Sequence, residues 1–178
     1  RGQVVNFEPN PDNYAKIKEN VGLNNFTNVT VYNFAIGGLK EKAQLVIDRH
    51  SDAGSGHLQS DMTSEHMNDK NITVMDVDIY ALDDVLTSRQ LSIPSFVKID
   101  VEGYEMAVLS GMHKCIVKYK PQLFVEIHGA DLQRKIENIR RIVDVLSNHG
   151  YSIYHVESGC MINAENAEIA CRGHIYCT

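Results

Sequence analysis

The sequence predicts an α/β fold: a mostly parallel sheet flanked by helices and finished by an antiparallel C-terminal strand pair. Three observations carry this. Short runs rich in Val, Ile, Phe and Tyr alternate with helical runs, the pattern of strand–helix–strand crossovers. The run Val97-Lys98-Ile99-Asp100 passes through Val101-Glu102-Gly103 and restarts as a helix, and Gly103 permits that tight connection. The last two strand-like runs have no helical pattern between them, so they are expected to pair antiparallel at the sheet edge.

In chain order, Gln3 to Glu8 reads as a strand ending in an acid. Asn10 makes a helix N-cap and Pro11 suits the first helical position, because its missing N–H has no helical partner there. That helix runs to about Val21, where Gly22 stops it. Val29 to Phe34 is the second strand, followed by a turn at Ala35-Ile36-Gly37-Gly38, and Lys42 to Asp48 is the third. Arg49 to Lys70 reads as a long polar loop, a length that usually carries function in a compact domain. Asn71 to Ile79 is a strand, Leu82 to Thr87 a short helix, and Ser95 to Asp100 the charged strand. Tyr104 to Tyr119 is helical with an interruption near Gly111, and Pro121 to Ile127 is the next strand. Leu132, Ile136, Ile139, Val143 and Leu146 recur at helical spacing, so Leu132 to Asn148 is a helix, ended by Gly150. Its Arg134, Lys135, Arg140 and Arg141 read as a solvated face. Tyr151 to Val156 and His174 to Cys177 are the final strands, joined by an excursion over Glu157 to Gly173. One domain over residues 1–178 is expected.

Composition narrows the function classes. A chain of 178 residues, 43% hydrophobic and 22% charged, can bury one real core. Its net charge of -6 argues against nucleic acid as the main partner, because phosphate-backbone binders carry a basic footprint. No apolar run approaches the roughly 20 residues that span a bilayer, so no membrane partner is expected. The four cysteines form no C-x-x-C pair. Cys160, Cys171 and Cys177 lie near His174 in sequence, but their spacing matches no common zinc pattern. They read as small buried thiols in a reducing, cytoplasmic setting, with a C-terminal disulfide as the alternative for a secreted chain.

Two groups of residues have the makings of a site. In Phe7-Glu8-Pro9-Asn10-Pro11 an acid ends a strand just before a capped helix. It can accept hydrogen bonds from both hydroxyls of a ribose, or simply favour the helix N-terminus. Ala35-Ile36-Gly37 is either a plain turn or a place where small residues let a purine approach the main chain. The second group is Lys98, Asp100, Glu126 and His128. Side chains alternate along a strand, so Lys98 shares a face with Asp100 and Glu126 with His128. If the two strands are neighbours, Lys98 is expected to pair with Glu126, leaving Asp100 and His128 at the strand ends, where α/β sheets bind ligands. A carboxylate beside an imidazole can take a proton from a hydroxyl. With Glu126 the same pair can hold a divalent metal, or lock the strands as a structural network.

Taken in order, several segments resemble the FkbM-type methyltransferases, a branch of the S-adenosylmethionine-dependent enzymes with a Rossmann-like class I sheet. They are Phe7-Glu8-Pro9-Asn10-Pro11, Asn20 to Asn24, Asn33 to Gly37, Leu82-Asp83-Asp84, Lys98 to Glu105, Lys120-Pro121 and Glu126-Ile127-His128. The resemblance implies S-adenosylmethionine as cofactor, with Glu8 on its ribose hydroxyls and Asn10 in the same cofactor-binding motif. It implies that Ala35 and Ile36 line the adenine, and that Asp100 lies beside the methionine end and the acceptor. It also implies O-methylation of a hydroxyl on a sugar or polyketide-like small molecule; Asp100 and His128 are the catalytic candidates for relieving that hydroxyl of its proton, and no resident metal is assigned. The family's opening strand and its D-x-G-x-x-x-G turn have no counterpart here. The expectation is therefore an N-terminally truncated methyltransferase domain. A non-catalytic Rossmann-like domain, and a metal-assisted enzyme using Asp100, Glu126 and His128, are the alternatives.

Overall fold

Asn10 and Pro11 open the first helix as the sequence predicts. In the computed structural model, which describes residues 2–48, 56–58 and 72–178, the chain groups into two compact units, Arg1–Tyr80 and Ala81–Thr178.

In the first unit, β1 (Val4–Phe7) pairs parallel with β2 (Val29–Tyr32) through α1 (Pro11–Leu23). The Asn10 side chain accepts from the Asp12 N–H at 2.9 Å and so caps α1. Beyond β2 the chain bends. Asn33 donates to the carbonyls of Glu8 (2.8 Å) and Pro9 (3.1 Å), tying together the ends of β1 and β2. The rings of Phe7, Tyr32 and Phe34 pack on one another at 5.4–5.7 Å. The bend ends the strand two residues earlier than expected. Ala35–Ile36 is not a turn but a short strand, β3. With β4 (Glu41–Asp48), β5 (Gly56–Leu58) and β6 (Ile72–Tyr80) it makes a four-stranded sheet in the order β3-β6-β4-β5. Leu45, Ile47 and Val77 form its core, with Met75 packed against them. β5 lies inside the segment read as a loop; the rest of 49–71 falls outside the described residues.

The second unit begins with α2 (Leu82–Ser88), followed by β7 (Phe96–Ile99), α3 (Glu105–Gly111), α4 (His113–Tyr119), β8 (Gln122–Glu126) and α5 (Leu132–Asn148). The helix break falls at Met112, which is fully buried. Asp83 accepts from the N–H groups of Lys114 (2.7 Å) and Cys115 (2.9 Å) and so joins α2 to the first turn of α4. α5 is capped by Asp131, whose side chain accepts from the Arg134 N–H at 2.8 Å. It buries Ile139, Ile142, Val143 and Leu146. β9 (Ile153–His155), β10 (Met161–Ile162) and β11 (His174–Cys177) complete a sheet of order β10-β9-β11-β8-β7.

Three expectations are corrected. The ladders are not mostly parallel among the described residues. Only β1/β2, β3/β6 and β7/β8 run parallel, because β4 to β6 and the C-terminal strands connect without crossover helices. The C-terminal strands do pair antiparallel, but β11 inserts between β9 and β8, and the unexpected β10 takes the edge. The strand over Ser95 to Asp100 reads from its apolar residues as a buried one, and β7 is not. It is the last strand of its sheet among the described residues, and Phe96 and Lys98 are exposed. No helix among the described residues is long and apolar enough to cross a membrane.

Candidate functional site

The parallel register of β7 on β8 pairs Lys98 with Phe124 and Ile99 with Val125. Continuing that register brings Asp100 level with Glu126, and Lys98 falls two residues short. Lys98 therefore does not reach Glu126 as the sequence suggested. Its Nζ lies 2.8 Å from Asp100 Oδ2, with the two side chains 53% and 40% exposed. Such an exposed pair is a weak tether, screened by solvent.

His128 is the hub of the cluster and is only 15% exposed. Its Nδ1 lies 2.9 Å from Oε1 of Glu105, a carboxylate with no solvent exposure at the start of α3. Glu105 Oε1 also accepts from the Gly103 N–H (3.0 Å), and its Oε2 accepts from the Asn138 amide of α5 (2.8 Å). A carboxylate only accepts hydrogen bonds, so Nδ1 must carry the proton, and neutral His128 keeps its lone pair on Nε2. That Nε2 faces three carboxylates: Glu126 Oε1 at 3.5 Å, Glu102 Oε2 at 3.8 Å and Asp100 Oδ1 at 3.9 Å. Burial disfavours charge on the ring. The Glu105 hydrogen bond and the charges of Glu102, Glu105 and Glu126 outweigh it and hold the His128 pKa above its ordinary value. Glu102 reaches the cluster from a left-handed turn, with φ of 46° there and 91° at Gly103.

The network continues outward. Glu126 Oε2 lies 3.4 Å from His174 Nε2. His174 Nδ1 lies 2.7 Å from Glu157 Oε1, and Glu157 Oε2 lies 3.0 Å from His155 Nε2. Burial tends to raise the Glu157 pKa. The hydrogen bonds from the main chain and ring of His174, with the His155 charge, carry it down to about 2. Sequence reading placed His174 with the cysteines instead. All four cysteines are free, and Asp100, Glu126 and His128 are the residues able to share a metal among those described. Glu105, Asn138, His174 and Glu157 were missed as site residues. The one sequence signal is an acid in the first turn of a helix, which by itself implies no more than a favourable helix-end charge.

In the first unit Glu8 Oε1 accepts from the Asn10 N–H at 2.7 Å. Burial raises the Glu8 pKa, and this hydrogen bond partly offsets the rise. Asn10 is 6% exposed and its side-chain oxygen is committed to the helix cap. Ala35 is buried and Ile36 half-buried. Their strand is held by β6, with the Gly37 N–H donating to the Tyr80 carbonyl at 3.0 Å.

Comparison with known families matches residues 1–153 to the family described as Methyltransferase FkbM domain. The chain belongs to the FkbM methyltransferase family. The FkbM domain is also similar to a crystal structure of Methyltransferase FkbM from Methylobacillus flagellatus KT. The two are 16% identical, with a TM-score of 0.58 over 99% of this chain. At that identity the likeness speaks for the fold alone. This FkbM domain spans 36% of that relative's length. No curated protein matches the chain.

Proposed function

We propose that the protein is an S-adenosylmethionine-dependent O-methyltransferase acting on a hydroxyl of a small molecule, a sugar or a polyketide-like compound. The observation that carries this reading is membership of the FkbM family over residues 1–153. Glu8 takes the ribose hydroxyls through Oε2, because its Oε1 is already held by the Asn10 main chain. Asn10 positions Glu8 by capping α1, and Ala35 and Ile36 lie along the adenine.

The reaction joins the acceptor oxygen to the methyl carbon as the sulfur–methyl bond breaks, leaving the neutral thioether. The acceptor proton must leave, and His128 Nε2 receives it. Glu105 accepts the Nδ1–H and so fixes the neutral ring's tautomer with its lone pair on Nε2, and then stabilises the imidazolium. Asp100, 3.9 Å from Nε2, aligns the hydroxyl.

Titration calorimetry with S-adenosylmethionine tests the cofactor assignment. Glu8→Gln keeps an acceptor for the Asn10 N–H but loses the charge. It is expected to weaken binding at least about tenfold, or roughly 1.4 kcal/mol. Equal affinity of the two proteins would remove Glu8 from the ribose. No binding to either would overturn the cofactor assignment.

A further inference from the structure

We propose that Asp100 Oδ1, Glu126 Oε1 and His128 Nε2 form a binding site for one divalent first-row cation, with Glu102 as a fourth ligand. Asp100, Glu126 and His128 each offer a ligand atom, and these atoms lie within 4.8 Å of one another. The distances from Nε2 to Glu126, Glu102 and Asp100 are 3.5, 3.8 and 3.9 Å. These are too long for hydrogen bonds. An ion about 2.1 Å from each ligand sets neighbouring donor atoms roughly 3–3.5 Å apart. Each of the three distances from Nε2 reaches that range with a contraction of at most a few tenths of an ångström.

Two of the three main ligands, Asp100 and His128, have their outer atom hydrogen-bonded from behind, and the third, Glu126, has an imidazole near its outer oxygen. Lys98 holds Asp100 Oδ2 at 2.8 Å, His174 lies 3.4 Å from Glu126 Oε2, and buried Glu105 fixes His128 Nδ1 at 2.9 Å. Asn138 in turn anchors Glu105 at 2.8 Å. Asp100 and His128 are thus each left with one donor atom free to face a common centre. Outer hydrogen bonds of this kind orient metal ligands, and a histidine ligand donating its second nitrogen to a carboxylate is their usual form. Lys98 is the ammonium paired with these carboxylates among the described residues, and its contact is with the far oxygen of Asp100. One imidazole with two or three carboxylates suits Mn²⁺ or Zn²⁺ rather than a soft, thiolate-seeking ion. The exposed side of Asp100 leaves a coordination position for an oxygen ligand. On the methyl-transfer reading, that ligand is the acceptor hydroxyl: the cation would raise its acidity and, with Nε2 occupied as a ligand, would take over from His128 the release of the proton, which passes to solvent.

The test is a titration of chelator-stripped protein with MnCl₂, without cofactor or acceptor. It is followed by calorimetry and by electron spin resonance of free Mn²⁺. One Mn²⁺ per chain is expected, with ¹⁴N modulation of the bound Mn²⁺ echo from His128. Asp100→Asn and Glu126→Gln should each weaken binding at least about tenfold, and His128→Gln should remove the ¹⁴N signal. Asp100 is partly exposed, so its variant tests the site even if His128→Gln does not fold. No binding up to about 1 mM, or binding unchanged in Asp100→Asn and Glu126→Gln, overturns the proposal. Titrating S-adenosylmethionine in excess chelator separates the two readings: cofactor binding there, with no Mn²⁺ site, rejects the cation alone.

Discussion

Glu105 concentrates what a residue can do here that its neighbours in sequence do not reveal. From the sequence it is one of two acids near a helix start, interchangeable with Glu102. In the structure Glu105 has no solvent exposure and touches Gly103, His128 and Asn138, whereas the Glu102 carboxylate is partly exposed and 3.8 Å from His128. A buried carboxylate is tolerable only when its lone pairs are answered, and removing it strands its partners. Glu105→Ala is expected to cost about 3 kcal/mol in urea unfolding. Glu102→Gln should stay within about 0.5 kcal/mol of the parent. Equal costs for the two would contradict the division of labour between them.

At the scale of elements, the start of α1, all of α5 and the α3/α4 break were legible because caps, Gly and apolar spacing are local signals. The end of α1 was not, since the helix runs through Gly22 to Leu23 rather than stopping at the glycine. Strand edges were not legible either. Asn33 truncates β2 through bonds to Glu8 and Pro9, residues more than twenty positions away, so no local pattern announces the bend. The start of β11 shows the same dependence. Gly173 has φ of 85°, and a Cβ there would run into the carboxylate of Glu157. Gly173→Ala therefore meets both the left-handed penalty and the displacement of Glu157 from His174. Gly159, at φ of 67° with open space around it, meets only the first. Gly173→Ala should lower stability by more than the roughly 1–2 kcal/mol of the conformational penalty, and Gly159→Ala by about that much. Thermal melts of the two variants would show this, and the reverse order would refute the contact.

For the whole molecule, the outward network predicts a response to acid. Glu157 titrates near 4.5 unfolded and about 2 folded. A depressed carboxylate pKa adds stability that is fully present above the unfolded value and is lost as pH falls toward the folded one. The stability difference between the parent and Glu157→Gln should therefore shrink between about pH 4.5 and 2. It should shrink less in high salt, because Glu157 is 44% exposed. A difference constant across that window, measured by urea melts at each pH, would remove the Glu157–His174 pair as its source.

By itself the sequence determined the helices and the longer strands, the family they spell out in order, and the two carriers of charge at the strand ends, Asp100 and His128. These are read from spacing, capping and motif, all encoded within a few residues. Only the tertiary structure decided what those charges face. The β7–β8 register gave Lys98 to Asp100 and took it from Glu126. Inserting β11 beside β8 brought His174 to Glu126, and packing α5 near α3 brought Asn138 to Glu105. Register and strand order depend on contacts between residues far apart in sequence, and no periodicity within a single segment records them.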